Sequence, residues 1–132
     1  MAYTFPSHFP PNCPPHPHNG MDGVYYRVVK NANCEDMSHF RSHYELGTMP
    51  HMEKRDRCGR KGVSLCGKKE HAQSILDALP EKGDFIATLG LSGGHGVVQG
   101  HTNIDKSHYN WWIPDGVNRN SFCKRIEGPF RR

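Results

Sequence analysis

The chain lacks any apolar run near the ~18–20 residues that a membrane-crossing helix needs, so no membrane partner is expected. It also lacks a charged start running into an apolar stretch, so a secretory leader is not expected. Hydrophobic residues are sparse, at 35% of 132, where globular chains carry ~45–50% on a scale that also counts glycine. The 14 glycines bring the chain to the lower edge of that range, which suits one domain with one modest core. Cysteine is present without pattern. There is no CxxC, and five (Cys13, Cys34, Cys58, Cys66, Cys123) cannot all pair within one chain. A disulfide scaffold is therefore not expected, and a reducing cytoplasm is. Cys66 and Cys123 lie in apolar stretches and read as small buried hydrophobes.

Charge is plentiful but uneven. The net charge is +4. Residues 54–69 carry seven basic groups (Lys54, Arg55, Arg57, Arg60, Lys61, Lys68, Lys69) against Asp56, and residues 119–132 carry five against Glu127, which leaves −6 on the rest. Two basic segments on an acidic body suit an anionic partner: a nucleotide, a nucleic acid or an acidic protein surface. A solvated loop and a solvated tail are the plainer reading.

Six of the ten prolines fall between Pro6 and Pro17, so residues 1–22 read as a poorly ordered Pro/His-rich arm that touches the domain through Tyr3, Phe5 and Phe9. The domain is expected over 23–128, with a basic tail at 129–132. Residues 24–29 (VYYRVV) read as a strand, with Arg27 on the face of Tyr25 and Val29. Asn33 as N-cap, Met37, Phe40 and Tyr44 at i, i+3, i+7, and Gly47 as C-cap predict a helix over about 34–46. Residues 62–66 read as a short strand. Residues 68–79 read as a helix with Ala72, Ile75, Leu76 and Leu79 on one stripe, ended by Pro80. Residues 85–91 and 96–102 read as strands joined by a Ser92–His95 hairpin turn. The aromatic stretch 108–114 ends at Pro114, and 121–127 is a last strand. The order β-α-β-α-β-β-β predicts an α+β fold on a mixed, mostly antiparallel sheet. The expected core is Val24, Val28, Phe40, Val63, Leu65, Ile75, Leu76, Leu79, Phe85, Ala87, Leu89, Val97 and Phe122.

Ten histidines invite a metal reading. His39 and His43, four apart on the expected helix, would share a face with Glu35, but that face points away from Phe40 and Tyr44. Surface histidines are the alternative, and no metal is expected. Trp111 and Trp112 are adjacent inside Ser107–Pro114. On an extended chain they point opposite ways, so one is expected in the core and the other exposed, beside His108 or Tyr109, where it would stack a base or a nicotinamide ring.

The layout resembles small ADP-ribosyltransferase-like domains, among them the RES-domain toxins that degrade NAD. The resemblance covers residues 24–91: a first strand with Tyr26-Arg27-Val28, a helix, a basic loop with Gly59-Arg60, then Gly62-Val63-Ser64-Leu65 running into an amphipathic helix. It implies NAD as substrate. A first-strand arginine would grip the diphosphate and a middle-strand serine would support it. A glutamate would stabilise the oxocarbenium that develops as the glycosidic bond breaks. Arg27, Ser64 and Glu127 are the catalytic candidates; Tyr26, Arg60, His108, Tyr109, Trp111 and Trp112 are the candidates for binding the nucleotide. No Glu-x-Glu is present, which leaves Glu127 as a late candidate. The competing class is a non-catalytic inhibitor or adaptor, of the kind phages and mobile elements carry, that sets its basic segments and tryptophans against an acidic protein or a nucleic acid.

Overall fold

The computed structural model describes residues 4–14, 23–91, 96–100 and 108–130. Six strands form one sheet: β1 (Gly23–Val29), β2 (Val63–Cys66), β3 (Phe85–Leu91), β4 (Val97–Gly100), β5 (His108–Trp112) and β6 (Cys123–Glu127). Their order is β4-β5-β2-β1-β3-β6, and every neighbouring pair is antiparallel. Three short helices, α1 (His43–Leu46), α2 (Met52–Arg55) and α3 (Arg57–Lys61), lie between β1 and β2, and α4 (Lys69–Ala78) follows β2. The fold is α+β, as the order of elements predicts.

Alternation along the strands divides the apolar residues into two cores. The larger contains Tyr25, Val29, Phe40, Leu65, Leu89 and Trp111. The smaller holds Cys66 and Ile86 against Ala72 and Leu76 of α4, with Tyr26, Val28 and Ile75 at its margin. Val24 was expected in the core but is 54% exposed, because α4 covers Tyr26 and Val28 and stops short of it. Leu79 is also exposed: it has left helical geometry as the C-cap of α4. Val28, Ile75 and Phe85 are only partly buried.

The helix expected over 34–46 does not form. Instead, a 3-10 turn at Met37–Phe40 is capped by Asp36, whose side chain accepts from Ser38 N, Arg41 is extended, and α1 restarts at Ser42. Ser42 and Glu45 make a reciprocal capping box, so the sequence encodes a new helix start within the apolar periodicity. Tertiary contacts complete the break. Arg27 bonds the carbonyls of His39 and Arg41, and Arg119 bonds that of Phe40, so three successive acceptors turn away from a helical ladder.

The strand after β3 is not its hairpin partner. Both neighbours of β3 are taken, by β1 and β6, and β4 lies on the far edge beside β5. The expected turn at 92–95 lies outside the described residues.

Cysteine usage also departs from expectation. Cys13 is bonded to Cys58 and Cys34 to Cys123, while Cys66 is in neither disulfide and is buried. An odd total excludes complete pairing only. The ground for expecting a reducing cytoplasm is removed, since disulfides persist in oxidising settings. Residues 4–14 of the arm are pinned to the domain. Thr4 O accepts from Asp115 N at 2.8 Å, Phe5 stacks on Phe9, His8 stacks on Tyr44, and Cys13 is tied to Cys58. No helix among the described residues is long and apolar enough to cross a membrane.

The tandem tryptophans point to opposite faces, yet both are buried, at 0% and 2% exposure. Trp111 packs edge-on to Phe122 in the main core. Trp112 donates its indole N–H to Cys58 O at 2.9 Å, under the segment that Cys13 anchors. The expected exposed tryptophan is covered because the chain around Cys58 and Gly62 closes over the second face. Trp111→Ala and Trp112→Ala should therefore each cost about 3–5 kcal/mol. Trp112→Phe should cost about 1 kcal/mol for the carbonyl left without its donor. Denaturant unfolding followed by far-UV circular dichroism measures all three, and a near-zero loss at either alanine variant would remove that residue from the core.

Candidate functional site

The sheet opens where β1 meets β2. β1 runs beside β3 through seven register positions, but β1 and β2 share only one, Tyr26 opposite Cys66. Past that point Arg27 joins the strands through its side chain. Its Nη1 donates to Ser64 O at 2.7 Å, its Nε to His39 O at 2.6 Å and its Nη2 to Arg41 O at 3.2 Å. A guanidinium has five N–H donors, so two remain. Burial pushes its pKa down to about 10, opposed by the nearby Cys66 sulfur, so Arg27 stays charged at neutral pH. Among the described residues no carboxylate pairs with it.

A cavity of about 570 Å³ occupies this opening. Four fixed cations line it, Arg27, Lys30, Arg41 and Lys82, against one carboxylate, Glu81. The apolar wall includes Val28, Leu65, Ile75 and Leu79. Glu81 and Lys82 arrive on the 3-10 turn after α4, and Gly83 seats that turn against the end of β1, where a Cβ would run into the Val29 carbonyl. The cationic character registers on the histidines. His43, bonded through Nδ1 to Thr48 Oγ1, is held below the usual protonation range by burial first and then by Lys82 and Arg27. His39 is shifted the same way, mainly by burial, with Asp36 opposing.

Three of the candidates from sequence meet here: Arg27, Ser64 and His108 all line the cavity. Ser64 contributes its carbonyl to Arg27, not its hydroxyl. The other candidates lie elsewhere. Glu127 is on β6, where Lys69 Nζ bonds it at 2.7 Å and holds its carboxyl below the ordinary range. The expected catalytic trio therefore does not converge, because β6 pairs with β3 and not with the strands flanking the opening. Tyr26 packs on the core under α4, Tyr109 packs edge-on to Tyr25, and both tryptophans are buried.

Arg60 is also structural. It donates to Thr48 O and to Glu53, which Lys61 Nζ meets at 2.7 Å. Lys61 lies 3.8 Å from the centre of the Tyr44 ring. The segment expected as a solvated basic loop is thus partly folded inward: Lys54, Arg55 and Arg57 are exposed, Arg60 and Lys61 buried. Arg119, the first residue of the second basic segment, grips Glu45 through both terminal nitrogens at 2.7 Å.

His39, expected on the surface, is 4% exposed, and no continuous helix aligns it with His43. Among the described residues no group of three or more His, Cys, Asp or Glu is placed to hold a metal. Two motif spellings are present without their geometry. Gly62 to Lys68 reads GxxxxGK, but β2 occupies its middle, so its amides serve a sheet instead of a phosphate-cradling loop. Gly90 to Gly94 reads GxSxG, but its serine lies outside the described residues and the next described element is strand β4, where a nucleophile elbow leads into a helix. Sequence reasoning missed Lys30, Arg41, Glu81 and Lys82. Each is an ordinary polar residue until the fold gathers it.

Comparison with protein-family models, with curated proteins and with solved structures returns no match.

Glu53 offers a test of the inward-folded basic segment. Hydrogen bonds from Lys61 and then Arg60 lower its pKa from 4.5 to about 2. Because the folded value lies below the unfolded one, its contribution to stability is complete above about pH 4.5 and is lost as pH falls toward 2. Glu53→Gln should flatten the stability curve across that window. An acid-unfolding profile unchanged by the substitution would show the three groups to be uncoupled.

Proposed function

We propose that this chain binds a nucleotide-class organic phosphate, with NAD as the first candidate, in the cavity between β1 and β2, and that Arg27 is its phosphate anchor. One observation carries the reading: a largely buried arginine with two N–H donors unused and no acidic partner among the described residues faces a cavity lined by four fixed cations and one carboxylate. An isolated buried charge is costly, and a bound anion relieves that cost. A guanidinium fork matches two phosphate oxygens. A volume of about 570 Å³ falls within the usual range for small-molecule sites, and the partly apolar wall suits a ligand that is not all phosphate.

The resemblance to ADP-ribosyltransferase-like domains supports the same reading through Arg27 and Ser64, which the opening brings together. Glu127 does not line the cavity, and among the described residues Glu81 is the carboxylate that does. On this reading Glu81 is the carboxylate for cleavage of NAD. The alternative of a nucleic-acid or acidic-protein binder loses its aromatic platform to the core, and part of its basic stripe to Glu53 and Glu45.

Calorimetric titration of NAD and ADP-ribose at low salt should show binding. Reversing the exposed Arg41 and the rim residue Lys82 (R41E with K82E) should weaken it by roughly 10-fold or more, since each removed phosphate contact is worth about 1.5–3 kcal/mol. Thermal melting should stay close to that of the parent, because neither side chain belongs to the core. Mass spectrometry of the same mixtures reads nicotinamide release, and Glu81→Gln should abolish any that is found. Absence of binding by both ligands would overturn the reading. Binding indifferent to the double reversal would move the site elsewhere.

A further inference from the structure

We infer that the mouth of this cavity is an apolar clamp for a flat aromatic group carried by the ligand, a nucleobase or a pyridine ring, so that the site takes nucleotides in preference to simple sugar phosphates; the inference rests on the nucleotide reading above. Six large hydrophobic residues are exposed among the described residues. Three of them, Leu46, Met49 and Leu79, line this one cavity. They come from separate elements: Leu46 from the end of α1, Met49 from the turn before α2, Leu79 from the C-cap of α4. Ile75, half-buried on α4, continues the apolar surface inward toward Val28 and Leu65.

The backbone at Met49 is a separate observation. Its φ is +54°, in the left-handed region that residues with a Cβ rarely occupy. Glycine would sit there without strain. A methionine there, 40% exposed, contributes little burial in return for the strain, yet the residue lines the cavity. Strain held at a binding rim is a common signature of function, and a polarisable thioether packs well on an aromatic ring. The same cavity is lined by the charges of Arg27, Lys30, Arg41 and Lys82. The arrangement therefore fits a ligand with an anionic end and a planar apolar end. Inorganic phosphate and ribose 5-phosphate lack the second.

The test compares two probes that share a phosphoribosyl group and differ in the base, adenosine 5′-monophosphate and ribose 5-phosphate. The parent protein should bind the nucleotide roughly 10-fold more tightly or better, as burial of one aromatic face would give. Met49→Gly and Leu79→Ser should each lower that affinity ratio at least about threefold, and the double variant should bring it near one. Met49→Gly should at the same time melt at or above the parent temperature, because it relieves the left-handed methionine. A purely structural Met49 would instead lower the melting temperature and leave the ratio alone. A parent ratio near one, or a ratio retained in the double variant, overturns the clamp while leaving the anion site standing. Failure of both probes to bind overturns the nucleotide reading and the clamp with it.

Discussion

Three consecutive main-chain carbonyls, those of His39, Phe40 and Arg41, accept hydrogen bonds from arginine side chains, and much of the molecule depends on that arrangement. It converts an apolar periodicity of helical spacing into a 3-10 turn, an extended residue and a fresh helix start. Arg27 reaches two of those carbonyls, His39 and Arg41, from β1, and the same guanidinium reaches Ser64 O, so one side chain both breaks the helix and bridges two strands that share a single register position. Arg119 does the corresponding work from the far end of the chain. Its grip on Glu45 fixes α1 beside the same segment.

The cavity is a consequence of that bridge. Strands that pair through their backbones leave no room between them. Strands joined through an arginine are held apart by the length of its side chain, and the space is lined by whatever the neighbouring turns supply. Here they supply cations. Two groups stand out among the basic residues. Arg60, Lys61, Lys69 and Arg119 have carboxylate partners at 2.7–2.9 Å and stabilise the fold. Arg27, Lys30, Arg41 and Lys82 have no ion pair among the described residues and share one concave surface. Composition treats the two groups alike, and the second is the one that the fold gathers around a cavity.

The two disulfides act on the same architecture from outside. Cys34–Cys123 ties the loop after β1 to the start of β6, across the sheet, and Cys13–Cys58 holds the arm over the segment that covers Trp112. Closing long loops restricts the unfolded chain, which suits a domain whose apolar content is low. The arm thereby brings His8 onto Tyr44, whose ring also lies near Lys61.

Local pattern determined a good deal. The β-branched and aromatic run at 24–29, the amphipathic stripe of α4, the strand at 85–91 and the α+β class were all legible, because each rests on side-chain periodicity and on breakers such as Pro80. Arg27 was legible as a candidate, since a charged residue inside such a strand stands out. Strand order was not: whether 97–100 pairs with β3 depends on which edges the other strands have taken. Nor was the fate of the tryptophans, because alternation fixes direction while burial depends on what closes over each face. Cysteine pairing, the neutralisation of Arg60 and Lys61 by Glu53, and the gathering of Lys30, Arg41 and Lys82 around Arg27 all join residues far apart in sequence. No local spacing records those distances, and tertiary packing alone decided them.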